Sequence, residues 1–139
     1  MKKCWLSIVV LMLLYCSGKL FGQLPDTTTY LENIVKNKTQ YIGKPFSDLE
    51  KDLKIKIIGY APFVESSMDI SKEGSTALNF VDLHQEDNFG KYPYLLIYWK
   101  EPLNMNETRA YFDKYHNYDW TDEIEKHYKN GIIRNIEVL

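Results

Sequence analysis

The hydrophobic positions of this chain change their spacing several times, and each change predicts an element. Leu31, Ile34, Val35 and Ile42 fall near a helical period behind residues 26 to 29. Thr29-x-x-Glu32 has the capping-box form, in which side chain and backbone satisfy each other's donors, so a first helix is expected to about Lys38. Gly43-Lys44-Pro45 breaks it. Ser47-x-x-Glu50 then heads a short second helix with Leu49 and Leu53 on one face. Ile55 and Ile57 alternate with Lys54 and Lys56 in a strand toward Tyr60, which Pro62 is expected to end.

Residues 75 to 83 (STALNFVDL) and 92 to 100 (YPYLLIYWK) read as two further strands, the second rich in β-branched and aromatic side chains. Residues 84 to 91 between them contain Asn88 and Gly90 and read as the loop of an antiparallel hairpin. Leu95, Leu96 and Ile97 are consecutive, which places their strand inside the sheet, because only a strand covered on both faces is apolar on both sides.

Glu101-Pro102 is expected to stop that strand. Asn104-x-x-Glu107 caps a third helix with Thr108, Tyr111, Phe112 and Tyr115 on one face. Thr121 caps a fourth, with Trp120, Ile124 and Tyr128 inward, Glu125 and Lys129 paired one turn apart, and Gly131 as a left-handed terminator. Residues 132 to 139 form a last strand with Ile132, Ile136 and Val138 on one face. The sum is an α+β domain: an antiparallel or mixed sheet of about four strands, helices packed on one face, and a helical segment ahead of the first strand.

The apolar run from Cys4 to Cys16 has another meaning. It follows Lys2 and Lys3 and ends before Lys19, too short to span a bilayer and of the length expected for the apolar core of a secretory signal. Residues 1–22 are therefore read as a signal segment and 23–139 as one domain. Cleavage at Gly22/Gln23 leaves Leu20 at −3; a cut after Gly18 fits the small-residue rule better. Lipid attachment at Cys16 is a third route, opposed by Tyr15, and the only one that would tie the protein to a membrane.

Removing that segment changes the composition. Cys4 and Cys16 are the only cysteines, so the remaining domain has no disulfide, thiolate metal site or cysteine nucleophile. Losing Lys2, Lys3 and Lys19 lowers the formal net charge of −2 by three. A nucleic-acid partner would need the opposite sign, and the one basic concentration, Lys51, Lys54 and Lys56, is interleaved with Asp52 and apolar residues.

Phe21-Gly22-Gln23 and Tyr41-Ile42-Gly43-Lys44-Pro45-Phe46-Ser47 resemble segments of small uncharacterised exported proteins of Bacteroidota. The resemblance implies a periplasmic or surface location in a Gram-negative cell and carries no functional residue.

Asp82, His84 and Glu86 share one face if their strand extends that far, and an imidazole between carboxylates suits a general base or a metal site; beside Asn88 and Gly90 the same residues are ordinary loop composition. Glu123 with His127, and His116 with Asp113 and Asp119, offer ligand pairs at helical spacing but no third ligand, and a solvated helix face explains both. No HExxH, G-x-S-x-G, phosphate loop or dinucleotide fingerprint occurs, so neither a metal nor a cofactor is expected. Asn37-Lys38-Thr39 and Asn106-Glu107-Thr108 match the glycosylation sequon, relevant only in a eukaryotic secretory pathway.

The densest signal is aromatic. Tyr92, Tyr94, Tyr98, Trp99, Tyr111, Phe112, Tyr115, Tyr118 and Trp120 lie within one stretch, part of it core and part a candidate recognition surface. The expected function is that of an exported, non-enzymatic binding protein, of inhibitor or immunity type, recognising a protein or glycan through Tyr94, Tyr98 and Trp99. The alternative is a small secreted hydrolase or metal-dependent enzyme using Asp82, His84 and Glu86.

Overall fold

The structure, a computed structural model, describes residues 26–82 and 92–139. The expected signal segment and the loop at 84–91 lie outside the described residues. The elements run α1 (Thr27–Lys36), a 3-10 turn (Lys38–Gln40), α2 (Phe46–Asp52), β1 (Gly59–Ser66), β2 (Asp69–Asn79), β3 (Leu95–Asn104), α3 (Met105–Tyr115), α4 (Asp122–Tyr128) and β4 (Ile133–Val138). The strands form an antiparallel sheet in chain order, β1-β2-β3-β4, so the fold is α+β as the spacing predicts.

Register divides the sheet into two faces. Tyr60, Leu78, Leu95 and Val138 stand in one cross-strand row, and Thr76, Ile97 and Ile136 in the next. These rows meet Leu31, Phe46, Leu49, Ile124 and Tyr128 from the helices in a single apolar cluster. Ala61, Ala77, Leu96 and Glu137 form a row on the opposite face, followed by Phe63, Ser75, Tyr98 and Asn135.

Aromatic rings set the centre of the core. Tyr128 is sandwiched between Trp99 and Trp120, with centroids 5.7 Å away on each side, and Phe46 meets both indoles edge-on at 6.0 Å. Each such pair adds about 0.5–1.5 kcal/mol beyond the area it buries. No cysteine lies among the described residues, so this packing acts without a disulfide.

Several boundaries differ from those the sequence predicts. The first strand begins at Gly59 rather than Ile55 and runs through Pro62. Tyr60 sends its N–H outward to the Tyr118 carbonyl (2.9 Å), so the Pro62 nitrogen two residues on also faces away from β2, and its missing proton leaves no ladder bond unmade. Pro102 is likewise tolerated within β3: the Lys100 N–H reaches the Ile132 carbonyl (2.7 Å), and β4 does not extend to meet residue 102. The second strand starts at Asp69, because a tight turn at Ser67 and Met68 returns β1 directly onto β2.

The caps divide evenly. The Asn104 side chain accepts the Asn106 N–H (3.0 Å) and Thr121 accepts that of Ile124 (3.4 Å), as predicted. Asp26 and Pro45, rather than Thr29 and Ser47, precede α1 and α2. Gly131 is not left-handed; His116 (φ 55°) is the residue that ends a helix that way. Glycine is required at 131 by proximity, since a Cβ there would stand 2.8 Å from the Trp99 ring.

Candidate functional site

Alternation along β3 separates the residues expected to bind. Trp99 points into the core, 1% exposed, and leaves the proposed surface. Tyr98, its neighbour, points the other way, and Tyr94 shares that parity. Both are half-buried, and Tyr94 exchanges backbone hydrogen bonds with Leu139 (3.0 and 3.1 Å).

Tyr98 is held by a polar chain across the outer face. Its hydroxyl donates to Glu137 Oε2 (2.9 Å), whose other oxygen accepts from Asn135 Nδ2 (3.0 Å). Asn135 Oδ1 in turn accepts from Lys38 Nζ (2.7 Å). The Arg134 guanidinium lies 5.9 Å from the Tyr98 centroid, where the bulge between Tyr98 and Trp99 leaves Arg134 unpaired in the ladder. The bond to Glu137 pushes the Tyr98 phenol above its ordinary value, keeping it protonated as a donor. The ring is thus fixed at its edge and lies in the same cross-strand row as Ser75 and Phe63.

The apolar surface continues into the β1–β2 hairpin. Phe63, Val64 and Ile70 are exposed, and Met68 at the turn is 95% exposed. None of these four stood out in the sequence, because a turn at Ser67-Met68 carries no Gly, Pro or Asn to mark it.

A second place collects acidic and imidazole groups. A cleft of about 280 Å³ beside the start of β1 is lined by Asp82, His116, Asn117 and Asp119, with Phe112 and Tyr118 stacked at 4.5 Å. It brings Asp82 together with His116 and Asp119, two of the residues offered at helical spacing, while Asp113, Glu123 and His127 are not among its walls. Asp82 is exposed; His84 and Glu86 lie outside the described residues. Glu123 and His127 do not converge. Glu123 is taken by Lys114 Nζ and the Tyr115 hydroxyl (both 2.8 Å), while His127 turns toward α3. Among the described residues no group of three or more His, Cys, Asp or Glu is arranged to hold a metal ion.

The best-built polar cluster is one that sequence reading misses. Glu73 is 0% exposed, carried onto the core face by a bulge at Gly74. Its carboxylate accepts hydroxyls from Thr76, Thr108 (2.6 Å) and Tyr128 (2.8 Å), and Trp99 Nε1 donates to Thr76 (2.9 Å). Burial raises the Glu73 carboxyl above its ordinary range, against the pull of these donors. Thr108 also meets His127 Nε2 (2.9 Å), and His127 Nδ1 lies 3.6 Å from the exposed Glu107 carboxylate. Burial lowers the His127 ring, opposed by Glu107, so the imidazole is held neutral. The partners come from β2, β3, α3 and α4, and no local spacing could have announced them.

No protein-family model matches the chain, and no curated protein or solved structure matches it either.

Proposed function

We propose that this chain is an exported, non-enzymatic binding protein that recognises a protein partner through the outer face of its sheet and the β1–β2 hairpin. The observation that carries the reading is the outer-face row of Phe63 and Tyr98, with the exposed Met68 and Ile70 in the hairpin that extends the same two strands. Tyrosine, phenylalanine, methionine and arginine are the residues enriched where protein interfaces bury their centres. Phe63, Met68 and Ile70 carry no side-chain hydrogen-bonding groups for sugar hydroxyls, which favours a protein over a glycan. Export rests on the signal-like first residues, whose removal would deepen a net charge that is already −2. The buried Glu73 cluster supports the fold rather than the contact, since Glu73, Thr108 and Tyr128 are all closed to solvent.

The test is capture from envelope fractions with wild type and with Tyr98→Ala, alongside a glycan array. A discrete protein retained by wild type and lost with Tyr98→Ala is the expected result. Saturable glycan binding in its place, or equal capture by both proteins, would overturn the reading.

A further inference from the structure

We propose that Glu73 is a buried proton-binding site whose occupancy is relayed through the Thr108 hydroxyl to the tautomer of His127, and so to its pairing with Glu107. The geometry assigns the route. Glu73 Oε1 receives the hydroxyls of Tyr128 and Thr76, and Thr76 already accepts from the Trp99 indole, which can only donate. A proton on that oxygen would turn the Thr76 or the Tyr128 hydroxyl away from its acceptor, which disfavours protonation there. Glu73 Oε2 faces Thr108, whose nearer remaining partner is an imidazole nitrogen at 2.9 Å, able to donate or to accept, and whose farther one is the Asn104 carbonyl at 3.4 Å.

Two hydrogen-bond patterns fit the same heavy atoms. With Glu73 ionised, His127 Nε2–H donates to Thr108, and Thr108 donates to Glu73. The bare Nδ1 then faces the Glu107 carboxylate across 3.6 Å, a repulsive approach. With Glu73 protonated, its Oε2–H donates to Thr108, Thr108 donates to Nε2, and Nδ1–H is directed at Glu107. The step balances. One proton from solvent reaches Nδ1, the Nε2 proton passes to Thr108, and the former Thr108 proton passes to Glu73. Imidazole and hydroxyl end with as many protons as they began, and Glu73 holds one more.

Among the described residues, titratable groups face this chain from three elements. Tyr60 from β1 and Tyr128 from α4 border Glu73, while Glu107 and Tyr111 from α3 border the imidazole, the Tyr111 ring at 5.5 Å. Among the described residues no lysine or arginine bonds to Glu73, so a proton is the available counter-charge. Burial places the Glu73 titration above that of an ordinary carboxylate and that of His127 below an ordinary imidazole, which brings a neutral imidazole and a protonated carboxyl within reach at one pH. Glu107 also accepts from the Asn104 cap (3.1 Å), so the switch ends on the start of α3.

Nitrogen NMR of His127, read beside the Glu73 carboxyl carbon across a pH series, tests this. The neutral ring is expected to change from mostly Nε2–H to mostly Nδ1–H as pH falls, with the midpoint of the Glu73 titration. Thr108→Val should leave Glu73 titrating while the His127 tautomer no longer follows, and Thr108→Ser should restore the coupling. A wild-type tautomer that stays constant while Glu73 titrates would overturn the proposal, as would an imidazolium that forms before Glu73 is protonated. The wild-type measurement decides even if Thr108→Val fails to fold.

Discussion

Replacing Glu73 by Gln tests what the buried carboxyl does to stability. The amide is nearly isosteric: its oxygen can accept from Thr76 and Tyr128, and its NH2 can donate to Thr108 as a protonated carboxyl would. Glu73→Gln therefore mimics the protonated state and removes the titration. Burial raises the folded carboxyl above its unfolded value of about 4.3, so the folded chain binds the proton more tightly. The stability this confers is fully present below the unfolded value and is lost as pH rises through the folded one. Wild type should lose stability relative to Glu73→Gln within that window, by at most about 1.4 kcal/mol per pH unit, with a flat difference on either side. The lowered His127 works in the opposite direction, its contribution being lost as pH falls below about 6.5. Because Thr108 links His127 to Glu73, the comparison is repeated in a Thr108→Val background, which cuts the link and isolates the Glu73 contribution. Urea unfolding followed by tryptophan fluorescence, from about pH 4 to about pH 8, supplies the comparison. If wild type instead gains on Glu73→Gln as pH rises, the three hydroxyls outweigh desolvation and the reasoning fails.

Two further outcomes follow from the packing. Gly131→Ala places a Cβ 2.8 and 2.9 Å from carbons of Trp99, a ring clamped by Tyr128 and by its bond to Thr76, so a loss of about 1–3 kcal/mol is expected in urea unfolding; a loss within experimental error would show that the ring can shift. Trp99→Ala should cost about 3–5 kcal/mol and Tyr98→Ala far less, since one side chain fills the core and the other lies on the outer face; equal thermal shifts would contradict the assigned alternation.

What was legible in the sequence depended on range. The apolar triplet at Leu95 to Ile97 announced the inner strand, and both caps built from Asn104 and Thr121 were readable because donor and acceptor are neighbours. Proline misled twice, since whether its missing N–H matters depends on which side of the strand faces a partner. Trp99 and Tyr98 carry the same aromatic signal, and only the register of β3 tells core from surface. The Glu73 cluster had no signal at all: a Lys-Glu-Gly-Ser stretch reads as solvated, and the partner hydroxyl of Tyr128 is 55 residues away.

The most direct test of the outer face as the recognition surface is site-specific photo-crosslinking in envelope fractions. A photoreactive residue at Phe63 or Ile70 is predicted to trap the partner that wild type captures, and one at the exposed helix positions Arg109 or Lys126 to trap none. Adducts from Arg109 or Lys126, with none from Phe63 and Ile70, would place recognition on the helical side and contradict the proposed function.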